Sequence, residues 1–207
     1  MQPYWIPYAG YFRLMAEADV FVVLDDVQFP RRGYVHRNKL VSRSGEPEWI
    51  SLPLQKAPRE IKINELKFHN DAESLLEKQK RKFPRIEKGY GAIDYSMLNL
   101  NRPVVDLLVE TLQLLSRELN LEYQMLMASE IGESDYSGAE RIVRITKALG
   151  GRRYVNAPGG RHLYDESDFA AEGIQLAFLP DWSGSVLSIL EVLSDAEVRN
   201  QVTNFDY

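Results

Sequence analysis

The sequence lacks cysteine and contains only three histidines in 207 residues. Disulfides and thiolate nucleophiles are therefore excluded. The histidines, His36, His69 and His162, are too scattered for a metal-binding spacing, so we predict no metal site. No apolar run approaches the roughly 20 residues that a membrane span needs, and no basic segment followed by a long apolar stretch indicates a signal peptide. We expect a cytoplasmic protein.

Positive charge is also scarce. The chain has 25 Lys and Arg against 30 Asp and Glu, a net charge of −5 and a pI near 5.4. A nucleic-acid partner held by charge alone is therefore not expected. The hydrophobic content of 44% and the charged content of 27% are ordinary for a globular protein, and the length suits a single domain over residues 1–207.

The order of predicted elements indicates an α/β fold. Residues 19–24 form a continuous β-branched and aromatic run, which is typical of a buried parallel strand. A helix is predicted to start at Asn101, with a buried stripe of Val104, Leu108, Leu112, Leu115 and Leu119. The C-terminal half then alternates, with strands predicted at 122–127, 153–156 and 174–179 and helices at 137–150, 165–171 and 188–193. The first of these helices is predicted to open with a capping box, Ser137-Gly138-Ala139-Glu140. This pattern predicts a Rossmann-like, mostly parallel sheet with helices on both faces. Residues 29–100, with strands predicted at 49–54 and 61–68, fit it badly and suggest an inserted irregular or β region, or a cap.

The opening block, residues 1–12, combines prolines, aromatics and one glycine. This composition predicts a rigid turn into a helix. A glycine lets a ligand approach the backbone, and the N-terminus of a helix favours an anion. We therefore predict substrate-binding roles for Gln2, Tyr8, Gly10 and Tyr11. The structural alternative is an aromatic and proline plug that closes the end of the domain.

Two carboxylates and an amide, Asp25, Asp26 and Gln28, follow the first predicted strand directly. Ligands of open parallel sheets bind at the carboxyl ends of the strands. A carboxylate there can take a proton from an attacking amine or hydroxyl, and we predict Asp26 as the catalytic base, with Asp25 as the second choice and Gln28 as a substrate ligand. The alternative is a cap at the end of the strand.

A basic stretch follows, and from it Arg32, Arg37 and Asn38 are predicted to bind substrate. Arginine forks bind phosphate in a bidentate manner, so the stretch is suited to hold the pyrophosphate of a nucleotide sugar. The alternative is a solvated, charged surface.

A third group comes after the strand at 153–156. Asn156, Gly159 and Gly160 predict a turn whose free backbone amides form an anion nest or oxyanion cradle, or simply a tight turn. Tyr164 and Asp165 are predicted to orient a sugar hydroxyl. Ser188 is interpreted as a helix N-cap rather than as a nucleophile.

Three blocks of this sequence resemble the WbqC-like family of bacterial surface-polysaccharide gene clusters. The blocks are Met1-Gln2-Pro3-Tyr4-Trp5-Ile6-Pro7-Tyr8-Ala9-Gly10-Tyr11-Phe12 with Asp25-Asp26-Val27-Gln28; Arg37-Asn38-Lys39 with Trp49-Ile50-Ser51-Leu52-Pro53; and Tyr154-Val155-Asn156-Ala157-Pro158-Gly159-Gly160 with Leu163-Tyr164-Asp165 and Leu187-Ser188-Ile189. The resemblance implies a bacterial protein of O-antigen or related glycan synthesis. It also implies a short apolar strand before Gln2, so we expect either a strand upstream of Met1 or its loss.

From the residues and the resemblance together we expect group transfer, amino-acyl or acyl, onto a nucleotide-linked or precursor sugar. The expected partners are a nucleotide sugar or an activated acyl donor. The tetrad Tyr8-Ala9-Gly10-Tyr11 is similar to the HIGH motif of nucleotidyltransferases, with tyrosine at both histidine positions, and ATP or Mg²⁺ is a candidate by this fold analogy alone. The alternative is a non-catalytic nucleotide- or partner-binding module. Leu112, Leu114 and Leu115 serve either a core or the face of a homo-oligomer.

Overall fold

The structure is a computed structural model that describes residues 1–87 and 100–204. The predicted middle region therefore includes residues, 88–99, that lie outside the described ones. The helices are α1 (Ala9–Glu17), α2 (Ala72–Lys80), α3 (Pro84–Glu87), α4 (Val104–Glu118), α5 (Ala128–Ile131), α6 (Gly138–Ala148), α7 (Glu166–Ala170) and α8 (Ala196–Thr203). The strands are β1 (Val20–Val23), β2 (Arg37–Val41), β3 (Pro47–Ser51), β4 (Gln124–Met127), β5 (Arg153–Asn156) and β6 (Gln175–Phe178).

The described strands pair two by two. β1 and β4 are parallel, β5 and β6 are parallel, and β2 and β3 form an antiparallel hairpin. The prediction of a mixed α/β protein with parallel pairing is confirmed, whereas a single larger sheet is not formed by these residues. The hairpin explains why residues 29–100 do not follow the alternating pattern, because strands joined by a short loop pair antiparallel.

The first residue extends the edge of β1. The amino group of Met1 donates to the carbonyl of Val22 at 2.6 Å, and the amide of Leu24 donates to the carbonyl of Met1 at 2.8 Å. These two bonds are the pattern of a parallel bridge between Met1 and Val23. A cleft of about 340 Å³, which Met1 helps to line, separates β1 from β5. Helix α1 packs against both strands.

One core runs through most of the chain. The predicted apolar stripe of α4 is confirmed, since Val104, Leu108, Leu112, Leu115 and Leu119 are all buried. Leu40 of the hairpin and Trp5 of the opening block belong to the same cluster of buried residues. A second, smaller cluster lies beneath α6 and α7 and contains Ile142, Val143, Phe169 and Ile174.

Three local predictions are wrong. Residues 61–68 are not a strand: a 3-10 helix covers Ile63–Glu65, and the buried residues Ile63 and Leu66 follow its three-residue period. The capping box predicted at Ser137 does not form, because the Ser137 side chain makes no cap hydrogen bond. The final helix is not at 188–193, where a 3-10 helix spans Ile189–Glu191; it is α8, which packs against α1.

Candidate functional site at the start of the first helix

The three sequence blocks that carry the family resemblance meet at residues 5–7. The Asn38 side-chain amide of β2 donates to the carbonyl of Ile6 at 2.7 Å, and the amide of Ile189 donates to the carbonyl of Pro7 at 2.8 Å. The amide of Trp5 donates to Tyr34, which precedes β2, at 3.2 Å. Segments more than 30 and 180 residues away in the sequence therefore hold one short turn in place.

The backbone of this turn is strained. Ile6 has φ of +43°, a conformation that a β-branched residue rarely adopts. Such strain costs on the order of 1–3 kcal/mol and persists only where the surrounding structure enforces it. The bond from Asn38 and the complete burial of Ile6 supply that enforcement. Because strained residues concentrate at functional sites, this turn marks a candidate site within the described part of the chain.

Gly10, in the first turn of α1, permits a close approach, but the approaching groups are side chains of the protein. A Cβ atom at Gly10 would lie 2.6 Å from the Tyr8 ring and 2.7 Å from the Trp182 ring. The guanidinium of Arg13, one helical turn further on, lies 5.8 Å from the centre of the Trp182 ring and donates to the carbonyl of Pro180 at 3.0 Å. In this structure Gly10 therefore makes room for Trp182, where we had expected room for a ligand.

Tyrosine side chains concentrate beside the turn. Burial raises the pKa of Tyr4 and of Tyr8, and each is raised further by Tyr34. These phenols are therefore neutral near pH 7 and act as hydrogen-bond donors. Tyr11 is buried and donates to the backbone carbonyl of Gln2 at 2.8 Å. Its hydroxyl thus tethers Gln2 to α1, and its predicted contact with substrate stays a prediction.

The carboxylates that follow β1 are held by different partners. Both oxygens of Asp26 accept from Arg141 of α6, at 2.7 and 2.8 Å, and both side chains of the pair are buried. Asp25 accepts from the backbone amide of Ser129 at 3.0 Å and from Asn64 at 3.2 Å. The catalytic role of either carboxylate stays a prediction.

The donors around this pair bear on the Mg²⁺ suggested by fold analogy. A divalent cation needs carboxylate oxygens that point at one open position. The oxygens of Asp25 and Asp26 instead point to separate protein donors, among them a guanidinium. Carboxylates held by these donors do not fit a divalent cation. Among the described residues, no group of three or more His, Asp or Glu side chains is arranged to hold a metal.

Of the two arginines predicted to bind substrate, Arg37 has a guanidinium held by hydrogen bonds. Arg37 donates to the carbonyls of Arg32 and Gly33, at 2.8 and 3.2 Å, and stacks on Trp49 with 4.3 Å to the ring centre. Asn38 is buried and bonded to the opening turn, and its predicted contact with substrate stays a prediction. The Arg32 side chain is exposed.

Other predicted residues have local partners. Gln28 is exposed, and its side chain donates to the carbonyl of Arg59 at 2.9 Å. His36 packs against Phe29, and burial lowers its pKa to about 4. Its side chain is therefore neutral near pH 7.

The residues after β5 are organised among themselves. The side chain of Asn156 accepts from the next amide, that of Ala157, at 2.8 Å. Gly159 and Gly160 lie in a 3-10 helix spanning Pro158–Leu163, and a Cβ at Gly159 would meet nothing within 4 Å. Asp165 caps α7 by accepting from Ser167, and hydrogen bonds from Ser167 lower its pKa. Tyr164 packs edge-on against Phe169.

Sequence reasoning missed four residues that complete these clusters. Arg141 and Asn64 bind the carboxylates, and Trp182 and Tyr34 frame the opening turn. Trp182 had a usable signal, since the chain has only three tryptophans. Arg141 had none, because nothing in a single sequence distinguishes it from the other cations of its helix.

The fold and these contacts define a mixed α/β protein with a strained, multiply tethered turn at the N-terminus of its first helix. A family model described as the WbqC-like protein family matches residues 2–183, and the chain belongs to that family. It is similar to "Uncharacterized protein Rv1507c" of Mycobacterium tuberculosis (strain ATCC 25618 / H37Rv), with 26% identity over 198 residues that cover 89% of this chain and 81% of that protein. No solved structure matches. In the part of the chain that the structure describes, no helix is both long and apolar enough to cross a membrane.

Proposed function

We propose that this protein transfers an amino-acyl or acyl group onto a nucleotide-linked or precursor sugar during bacterial surface-polysaccharide (O-antigen) synthesis in the cytoplasm. Family membership supports the biological setting. The observation that carries the proposal of a built site is the strained Ile6 turn, which Asn38 and Ile189 hold from distant parts of the chain. Strain maintained in this way is expected where a ligand or reacting group must be positioned.

The residues have distinct roles in this proposal. Tyr8, Gln2 and the first amides of α1 bind the substrate, and Arg32 and Arg37 bind its phosphates. The acceptor amine or hydroxyl attacks the acyl carbon, its proton passes to Asp26 or Asp25, and the leaving group departs with the bonding electron pair.

Other predicted site residues support the same reaction. The Gly159–Gly160 turn stabilises the developing oxyanion through the Gly159 amide, since the amide of Gly160 donates to the carbonyl of Ala157. Gln28, Asn156, Tyr164 and Asp165 are kept as substrate ligands. ATP enters as the activating co-substrate by analogy of fold alone.

The proposal includes a Rossmann-like sheet. The cleft between β1 and β5 is as long as a strand, and the parallel bridge at Met1 sets the direction of a chain within it. A parallel strand placed there would join the two pairs in the order β4, β1, new strand, β5, β6. In such a sheet the carboxyl ends of β1 and β5 form one edge, where ligands of α/β proteins bind. Residues 29–100 would then be an insertion in a single domain, one that shares its core through Leu40 and Ile50.

A second candidate function is a non-catalytic binding module. It is favoured by one observation: Asp25 and Asp26 are buried, and all four of their oxygens face protein donors, so neither is presented to solvent as a free base.

One assay separates the two functions. The protein is incubated with ATP, amino acids and UDP- or dTDP-linked amino sugars, and the products are followed by mass. We expect a new product with the wild type and none with Asp26→Asn, which can still accept a hydrogen bond from Arg141. Glu172→Gln, which removes an exposed carboxylate paired with Lys147 of α6, the helix that carries Arg141, is the matched control and should leave turnover unchanged. Unchanged turnover with Asp26→Asn would remove Asp26 from the mechanism, and binding without turnover by any pair would favour the module.

A further inference from the structure

An exposed aromatic and cationic surface lies on the hairpin. It consists of Tyr34, Arg37, Lys39 and Trp49, and we call it the hairpin face. Trp49 is 40% exposed and Tyr34 is 36% exposed, which makes them two of the most exposed large aromatic side chains in the described structure. Their ring centres lie 5.7 Å apart.

The register of the hairpin brings the cations onto this surface. Lys39 of β2 pairs directly with Trp49 of β3, and Arg37 lies two residues away on the same side of β2. The Lys39 ammonium is 5.4 Å from the centre of the Trp49 ring and the Arg37 guanidinium is 4.3 Å from it. Both cations therefore converge on one exposed indole.

These two positive charges are not compensated. Within residues 1–87 and 100–204, neither Arg37 nor Lys39 takes part in an ion pair, although the protein as a whole carries a net charge of −5. A similar stack elsewhere is compensated: Arg144 lies 3.6 Å from the centre of the Tyr136 ring and is paired with Glu140. The difference indicates that the hairpin face is suited to an anion from outside the chain.

Arg37 is also oriented in advance. Its Nε and Nη2 atoms donate to the carbonyls of Gly33 and Arg32, which leaves Nη1 free to bind a ligand. A guanidinium that is already fixed loses little freedom when it binds phosphate. Flat aromatic surfaces add stacking, to which any nucleobase can contribute its π-face.

We propose that the hairpin face binds the nucleoside diphosphate part of a substrate, with the base stacked on Trp49 beside Tyr34 and the phosphates held by Arg37 and Lys39. The Tyr34 ring lies 5.5 Å from that of Tyr4, so the surface continues into the opening block. A sugar attached to the distal phosphate extends toward the N-terminus of α1. This inference adds a nucleotide subsite to the proposed group transfer, although the binding itself does not depend on turnover.

Calorimetric titration of the full chain with UDP, uridine and pyrophosphate tests the subsite. We expect UDP to bind, and Trp49→Leu to weaken UDP about tenfold while leaving pyrophosphate unchanged. Lys39→Met should weaken UDP and pyrophosphate about fivefold and leave uridine unchanged. Trp49→Phe keeps an aromatic surface and should restore most of the affinity, which guards against a folding defect. Tyr136→Leu, which removes the ring of the compensated stack, is the control and should bind UDP as the wild type does.

Two results overturn the subsite: no binding of UDP, or equal binding of UDP by Trp49→Leu and the wild type. Failure of the transferase proposal looks different. If UDP binds with the expected dependence on Trp49 but no donor and acceptor pair reacts, the subsite stands and the transferase function fails. If turnover occurs and Trp49→Leu leaves KM for the nucleotide sugar unchanged, the transferase function stands and the subsite fails.

Discussion

The opening turn and the turn after β5 have similar local composition, with proline and glycine leading into a helical segment, but they are built differently. At the opening turn, Asn38, Ile189 and Trp182 come from distant parts of the chain to pack or bond there. After β5, Asn156 and Asp165 bond to residues one or two positions away. Long-range convergence therefore distinguishes the stronger candidate site from a turn that is stable by itself. Three predictions test this difference by comparing a residue of the N-terminal part with a matched residue of the C-terminal half, and a fourth concerns the amino group of Met1.

The largest effect is expected for the buried ion pair at the end of β1. Asp26→Ala leaves Arg141 buried without its partner, and the free energy of unfolding should fall by about 3–5 kcal/mol. Glu172→Ala breaks an exposed ion pair near α7 and should change the free energy of unfolding very little. Urea unfolding followed by circular dichroism measures both. Equal effects would show that the end of β1 is no more constrained than the surface.

The second prediction compares two asparagines. Asn38→Ala removes the buried donor to Ile6 and the partly buried acceptor for the amide of Lys39, and should cost about 2–3 kcal/mol. Asn156→Ala removes one local bond in a half-buried place and should cost under about 1 kcal/mol. The midpoints of chemical unfolding of the two variants provide the check, and a larger loss for Asn156 would contradict the comparison.

The third prediction compares two glycines. Gly10→Ala brings a methyl group against Tyr8 and Trp182 and should destabilise the protein by about 1–3 kcal/mol despite the better helix propensity of alanine. Gly159→Ala meets open space and should be close to neutral. Thermal unfolding should therefore show a lowered Tm for the first variant only; a Tm for Gly10→Ala equal to that of the wild type would show that the contact with Trp182 is loose.

The fourth prediction, which depends on pH, concerns the amino group of Met1 at the edge of β1. Burial lowers its pKa from 8.0 to about 5, so the folded protein binds fewer protons than the unfolded chain between these values. Stability should rise with pH from about 5 to 8, by at most about 1.4 kcal/mol per pH unit, and be lost as the pH falls. N-terminal acetylation removes the titrating group but keeps an N–H donor for Val22.

The difference in free energy of unfolding between acetylated and unmodified protein isolates the Met1 amino group. His36, whose pKa burial also lowers, contributes the same pH dependence to both forms. Urea unfolding at several pH values measures it. Parallel pH profiles for the two forms would contradict the prediction.

Much of the local structure could be predicted from the sequence. The β-branched run at 20–23 is the strand β1, and the apolar period of α4 is its buried stripe, because both patterns depend on side chains that repeat along one element. The prediction of a strand at 61–68 was wrong because its buried residues Ile63, Leu66 and Phe68 are separated by three positions and then by two. The helix α8 was overlooked, although Asp195 caps it, since among its described side chains the buried ones are Val198 and Val202, a pair about one turn apart.

The sequence by itself determined the family membership, the mixed α/β class and the location of the opening block along the chain, because these depend on residue type and local spacing. Tertiary structure alone decided what each polar group does. Asp26 meets Arg141 from 115 residues away, and Ile6 keeps its strained φ through Asn38, 32 residues further on. Partners at such separations are set by how helices and strands pack, and a single sequence records no pairing between them.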